Sequence, residues 1–216
     1  MNNDTTANPL EPGSDENERL ALEECVKRQR FDRRVSVLVS PAGHCDQAVK
    51  FARLGAQVIV VDKASHQRDV EGRILASGMK DEITYLPYEL ADLPDETTGE
   101  PFDIIFIRRG ICGIPYQEAR QVIRQTLLKM KIGGRMYLSI HGLHSELSRD
   151  YPDIDQPLDQ RYSKLSPTMA EKYGIKGEVC LYSERDLFML LLDAGASVLR
   201  TMTTTYGNVK AVAVRI

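Results

Sequence analysis

The segment from Val35 to Asp62 reads VSVLVSPAGHCDQAVKFARLGAQVIVVD. It contains a turn with small residues and ends in an acid, and both features are typical of nucleotide-binding sites. This stretch has the rhythm of a strand, a turn, a helix and a second strand, and Asp62 closes the second strand. An acid at that place accepts hydrogen bonds from ribose hydroxyls in nucleotide-binding sheets. The small residues of the turn, Ser40, Ala42 and Gly43, let a backbone approach a ligand closely. The alternative for Asp62 is a helix cap or an exposed carboxylate.

Cationic and imidazole side chains follow two later apolar runs. Arg108 and Arg109 end FDIIFIRRG, and two guanidinium groups there could hold an anionic substrate or a cofactor carboxylate. His141 and His144 follow RMYLSI, where an imidazole could deprotonate an acceptor hydroxyl or amine. The alternatives are solvated charges at a strand end and ordinary surface histidines.

Apolar runs and amphipathic segments alternate along the middle of the chain, which predicts an α/β fold. The predicted strands are VSVLVS, AQVIVVD, EITYLPYEL, FDIIFIRRG and RMYLSIHG. The predicted helices are CDQAVKFARLG, SHQRDVEGRILASGM and YQEARQVIRQTLLKMKIGG, the last ending at its two glycines. Such alternation predicts a doubly wound, mostly parallel sheet whose ligand lies at the carboxyl ends of the strands, beside the switch in strand order.

The two ends of the chain depart from this alternation. Residues 1–18 are predicted to be a disordered tail because large apolar side chains are scarce there, and residues 19–216 to be a single domain. The run ERLALEECVKRQRFDRR predicts a short helix over one edge of the core. Near the other end, LYSERDLFMLLLDAGA predicts a helix, and Gly207-Asn208 between two β-rich runs predicts an antiparallel hairpin. The hairpin brings the predicted sheet to seven strands.

A polar segment of about residues 143–180 interrupts the pattern before the last helix. It contains three prolines and the tyrosines Tyr151, Tyr162 and Tyr173. An insertion of this length inside a compact domain is typical of a lid or a binding loop. Tyrosine side chains are suited to lining a pocket. We therefore expect a lid-like insertion, with an ordinary surface excursion as the alternative.

Composition narrows the function classes. The 216 residues carry a net charge of −3 and a pI near 5.9, which gives no general attraction to nucleic acid or to an anionic membrane. No apolar run approaches the roughly 20 residues of a membrane helix, and the first residues do not resemble a secretory signal. The four cysteines are widely spaced, so neither a metal site nor a disulfide framework is predicted. We expect a cytoplasmic protein.

Five strand–helix units, a late helix and a closing antiparallel hairpin resemble the class I S-adenosylmethionine-dependent methyltransferase family. The stretch VLVSPAGHCDQAVKFARLGAQVIVVDKAS resembles the first motif and second strand of that family. Four later segments resemble those of the family and occur in the same order: ITYLPYELADLP, FDIIFIRRG, LLKMKIGGRMYLSIHG and LYSERDLFMLLLDAGASV. A dinucleotide-binding dehydrogenase would end with another parallel strand instead.

The resemblance implies S-adenosylmethionine as cofactor. Asp62 would take the ribose hydroxyls, Glu89 the adenine amino group, and Leu90 would touch the adenine ring. The implied cofactor contacts together are Ser40, Ala42, Gly43, Asp62, Lys63, Glu89, Leu90 and Arg108. The catalytic candidates are His141, His144 and Arg109.

The first motif departs from the family pattern. Val39 stands where the family usually has an acid, which removes one anchor for the charged methionine end of the cofactor. Pro41 and Cys45 replace two glycines, and Pro41 also removes a backbone N–H donor.

Three functions remain open from the sequence. The first is a methyltransferase with a small-molecule substrate, since the N-P-P-Y motif of many nucleic-acid and protein amino-methylating enzymes is absent after the fourth strand. The second is a catalytically inactive relative that binds a ligand or partner. The third is a nicotinamide-dependent oxidoreductase, against which the terminal hairpin argues. The sequence leaves a homodimer open.

Overall fold

The computed structural model describes residues 16–31, 34–94 and 99–216, and within them one seven-stranded sheet dominates. Its strands, in spatial order, are β3 (Ile83–Leu86), β2 (Gln57–Val61), β1 (Ser36–Ser40), β4 (Phe102–Arg108), β5 (Met130–Ile140), β9 (Val209–Val214) and β8 (Ser197–Thr203). The first five are parallel, and β9 runs antiparallel between β5 and β8. The doubly wound, mostly parallel sheet with a closing antiparallel hairpin is thus confirmed.

Helices cover both faces of the sheet. They are α1 (Glu16–Gln29), α2 (Asp46–Arg53), α3 (Gln67–Ser77), α4 (Tyr116–Leu128) and α6 (Glu184–Asp193), whereas α5 (Pro167–Tyr173) lies in the segment 143–180. Helices α1, α2 and α3 pack on one face and α4 and α6 on the other. Because α2 follows β1 on one face and α4 follows β4 on the other, the switch in strand order lies between β1 and β4.

The apolar run of β4 explains why its strand is central. Successive side chains of a strand point to opposite faces, so a strand buried on both faces must be apolar throughout. Ile104 and Phe106 enter the core beneath α1 and α2, whereas Ile105 and Ile107 enter the core beneath α4 and α6. The Phe106 ring also meets the Phe51 ring edge-on, with centroids 6.3 Å apart.

Two predicted boundaries are wrong. Helix α4 ends at Leu128, and Met130 and the glycines that were predicted to close the helix belong to β5. The cause is pairing across the sheet, since the Gly133 amide donates to the Arg215 carbonyl at 2.8 Å. Helix α1 begins at Glu16, so the last residues of the predicted tail are helical. The rest of that tail, residues 1–15, lies outside the described residues.

The segment 143–180 builds a small core of its own. Two short strands, β6 (Ser163–Lys164) and β7 (Glu178–Val179), pair antiparallel beside α5. Tyr151 is buried in this core and donates to the Val179 carbonyl at 2.6 Å. The Tyr162 hydroxyl donates to the Gly113 carbonyl at 2.7 Å, which docks the segment on the loop after β4. Tyr151 therefore holds the insertion together, and whether the insertion acts as a lid stays a prediction.

Candidate functional site

The loop after β1 carries the small residues that the sequence predicted at the cofactor. Its first peptide bond, between Ser40 and Pro41, is cis, and Gly43 adopts the left-handed conformation at φ 53°. Ser40 is buried at the end of the strand. The Ala42 amide donates to the Asp62 carboxylate at 3.0 Å, so this loop is tied to the end of β2.

Asp62 is the centre of a hydrogen-bond network at the end of β2. Its buried carboxylate accepts from the Ala42 amide and from the Lys63 amide, the latter at 2.7 Å, and lies 3.0 Å from Nδ1 of His66. The Tyr85 hydroxyl closes the same turn by donating to the Lys63 carbonyl at 2.7 Å. A carboxylate offers about four acceptor positions, so a ribose bound here would share Asp62 with the chain.

The residues predicted around an adenine ring divide into two environments. Lys63 and Glu89 are both exposed, with Nζ and the carboxylate 3.4 Å apart. Leu90 is buried and packs in the core beneath α4 and α6. The structure thus brings Lys63 and Glu89 together at the rim beside Asp62, while Leu90 supports that rim from below.

A cavity of about 590 Å³ lies beside this loop, at the carboxyl ends of β1 and β4. Val39, Phe106 and Arg108 line it from the strands, and Ala42 and Gly43 line it from the loop. Its helical wall includes side chains that the sequence reasoning missed: Glu18 of α1 and Gln47 and Lys50 of α2. It continues toward α3, where His44 contacts Arg73.

Two nitrogen atoms in the cavity wall are buried hydrogen-bond donors without an acceptor among the described residues. Among the residues that the structure describes, neither Nε2 of Gln47 nor Nε of Arg108 has a hydrogen-bond partner. Buried N–H groups are nearly always paired in folded proteins. The geometry therefore fits a ligand that presents hydrogen-bond acceptors between α2 and the end of β4.

Arg109 and His141 lie together at the ends of β4 and β5. Arg109 adopts a left-handed backbone at φ 61°, and its amide donates to the Ser139 carbonyl at 2.6 Å. Burial, reinforced by the Arg109 charge and opposed by a hydrogen bond with Asn208, lowers the pKa of His141 to about 3. The imidazole is therefore neutral at physiological pH and is a weak proton acceptor.

His144 lies further along the same rim and is exposed. Its backbone is packed against the hairpin between β8 and β9, since a Cβ on Gly207 would lie 2.2 Å from the His144 carbonyl oxygen. The imidazole of His144 is thus the more accessible of the two predicted bases, and it is held on a fixed backbone.

The cysteines do not form a reactive or metal-binding group. All four are free and buried, and burial raises the pKa of Cys45 to about 11, so its thiol is protonated at neutral pH. In residues 16–31, 34–94 and 99–216, no three His, Cys, Asp or Glu side chains gather as a metal site requires. Over the same ranges, every helix is too short or too polar to cross a membrane.

Comparison with solved structures decides the fold family. An S-adenosylmethionine-dependent methyltransferase from Methanosarcina mazei matches 88% of this chain and 97% of its own, with a TM-score of 0.65 and 15% identity. The chain has the class I methyltransferase fold. An O-methyltransferase family protein from Burkholderia thailandensis matches 92% of this chain and 56% of its own, with a TM-score of 0.62 and 16% identity.

A third structure with this methyltransferase fold carries ligands. It is the 1,6-didemethyltoxoflavin N1-methyltransferase of Burkholderia thailandensis, solved with 1,6-didemethyltoxoflavin and S-adenosylhomocysteine bound. It matches 93% of this chain and 78% of its own, with a TM-score of 0.63 and 15% identity. This chain spans 55% to 57% of the length of three of the methyltransferase structures that it matches, the O-methyltransferase family protein among them. No protein-family model and no curated protein sequence matches it.

Proposed function

We propose that this protein is an S-adenosylmethionine-dependent methyltransferase that acts on a small-molecule acceptor. The observation that carries the proposal is the cavity at the switch between β1 and β4. Its wall contains the unpaired donors of Gln47 and Arg108, and its wall residue Ala42 donates to the Asp62 carboxylate. In open α/β sheets, this crevice is where ligands bind. One neighbour in fold is an N1-methyltransferase solved with S-adenosylhomocysteine and 1,6-didemethyltoxoflavin bound, which supports both halves of the proposal.

The residues around the crevice fit the cofactor. Asp62 would accept from the ribose, Lys63 and Glu89 would flank the adenine, and the Ala42–Gly43 backbone would lie against the cofactor. When bound, the cofactor supplies an electrophilic methyl group on a sulfonium. The chain's own contribution would be to hold the acceptor in line with that methyl group, which is catalysis mostly by positioning.

The acceptor would be bound at the ends of β4 and β5. Arg109 would hold an anionic group of the acceptor, and the exposed His144 would take its proton. The neutral, buried His141 would contribute polarity and shape instead of a charge. The segment 143–180 would exclude water from this end of the sheet.

The proposal extends to the cellular location of the protein and to its oligomeric state. Four free, buried cysteines are compatible with a reducing compartment, which supports a cytoplasmic location. A homodimer stays a prediction.

The second candidate is an inactive relative that keeps the fold and binds something else. The sequence of the loop after β1 favours it, because Pro41 removes a backbone N–H donor from the predicted cofactor contact. In addition, Asp62 already accepts hydrogen bonds from within the chain.

Calorimetric titration with S-adenosylmethionine, with NAD as the control ligand, separates these candidates. We expect micromolar binding of S-adenosylmethionine and none of NAD. Absence of S-adenosylmethionine binding in a protein with a normal cooperative melt would favour the inactive relative. Selective binding of NAD would overturn both candidates.

A further inference from the structure

The part of the cavity between α1 and α2 contains a buried carboxylate that belongs to neither strand motif. Glu18 lies in the first turn of α1, and its side chain is 5% exposed. It lines the same cavity as Val39, the strand residue that stands where an acid was expected. Helix α1 thus delivers a negative charge to the place where β1 lacks one.

Hydrogen-bond donors line the same cavity as Glu18, as does a second acid, the exposed Asp46. The unpaired N–H donors of Gln47 and Arg108 require acceptor atoms, and the guanidinium of Arg108 favours a negatively charged one. Val39 and Phe106 give the cavity an apolar lining. A carboxylate, two donors and an apolar floor together complement an α-amino acid zwitterion, whose ammonium, carboxylate and methylene carbons need these three environments.

We propose that this cavity binds the amino acid end of S-adenosylmethionine, with Glu18 receiving the ammonium group and Arg108 and Gln47 donating to the carboxylate. Glu18 thereby replaces, from a helix, the acid that is missing at Val39. This inference rests on the proposed function and adds its binding determinants.

The ion pair of Glu18 with Lys50 is compatible with this role. Nζ of Lys50 binds Oε1 of Glu18, and the Lys50 side chain is 40% exposed. A flexible lysine at the surface can turn toward water when a ligand ammonium arrives. Lys50 would thus neutralise Glu18 in the empty protein.

Two ligands that differ only at the amino acid end test the proposal. S-adenosylhomocysteine carries that end, and 5′-methylthioadenosine lacks it while keeping the adenosine and the sulfur. In calorimetric titrations, Glu18→Gln should weaken S-adenosylhomocysteine binding about tenfold or more, the scale of a charge-assisted hydrogen bond. It should leave 5′-methylthioadenosine binding unchanged. Glu23→Gln is the matched control, because Glu23 is an exposed acid of the same helix, paired with Arg19, and should change neither affinity.

Each outcome decides a different point. Equal binding of S-adenosylhomocysteine by the wild type and by Glu18→Gln overturns the inference, and so does an equal loss for both ligands, which would mean that Glu18 only supports the fold. If the wild type binds neither ligand, the proposed function fails as well. Should Glu18→Gln not fold, Arg108→Met and Gln47→Leu provide the same comparison, and each should weaken S-adenosylhomocysteine alone.

Discussion

At the scale of single residues, the site depends on buried polar groups whose partners come from distant parts of the chain. Asp62 ties the loop after β1 to the end of β2, and Tyr85 closes that turn from β3. The position of Asp62 at the end of β2 was predictable, because an apolar run ends in that acid. Glu18 was not, because its position in the cavity depends on how α1 packs on the sheet, which no local pattern encodes.

Removal of the Asp62 carboxylate should weaken the binding of the cofactor. We expect Asp62→Ala to reduce S-adenosylmethionine binding by roughly 1–3 kcal/mol, the scale of losing hydrogen bonds to a charged group. Titration of the folded variant measures this loss. Asp69→Ala, an exposed acid in the first turn of α3, is the control and should bind as the wild type does. An unchanged affinity in folded Asp62→Ala would place the ribose elsewhere.

His141 should make the stability of the protein depend on pH. Its pKa is lowered to about 3 in the folded state, whereas an unfolded imidazole titrates near 6.5. The contribution of His141 to the free energy of unfolding is therefore complete above about pH 6.5. It falls by about 1.4 kcal/mol per pH unit below that pH, because only the unfolded chain takes up the proton.

Urea unfolding of wild type and His141→Asn between pH 7 and pH 5 measures this dependence. The wild type should lose stability more steeply than His141→Asn as the pH falls. His144→Asn, which replaces an exposed imidazole, should follow the wild type. Parallel curves for the wild type and His141→Asn would show that His141 is not held neutral by the fold.

At the scale of elements, the backbone of the loop after β5 packs directly against the backbone of the hairpin between β8 and β9. A Cβ on Gly142 would lie 1.6 Å from the Gly207 carbonyl oxygen, and Gly207 itself has φ 79°. No side chain fits either position, because the atoms in the way belong to the backbone. The hairpin therefore fixes the rim that carries His141 and His144.

Gly207→Ala should destabilise the protein by more than about 2 kcal/mol, since backbone strain and overpacking add. Gly78→Ala is the matched control, because Gly78 has a similar φ of 75° and open space around it, so only the strain of about 1 kcal/mol remains. Denaturant midpoints measure both. Equal losses for the two variants would mean that the loop and hairpin are not in contact.

At the scale of the whole molecule, the alternation of strands and helices, the closing hairpin and the two-faced core could be predicted from local pattern. The Ile-Ile-Phe-Ile run of β4 needs burial on both faces, and Gly207-Asn208 needs a turn. The end of α4 could not be predicted in this way, because it depends on the hydrogen bond between Gly133 and Arg215, which lies far along the chain. The helical wall of the cavity escaped prediction for the same reason: Glu18 and Gln47 meet the strand ends only after the layers have packed.

The most direct test of cofactor binding at the switch between β1 and β4 is a crystal structure of the protein with S-adenosylhomocysteine. We predict density with the ribose against Asp62 and the amino acid end between Glu18 and Arg108. Density at another place on the molecule, or an empty crevice in crystals grown at a saturating ligand concentration, would contradict the assignment of the site.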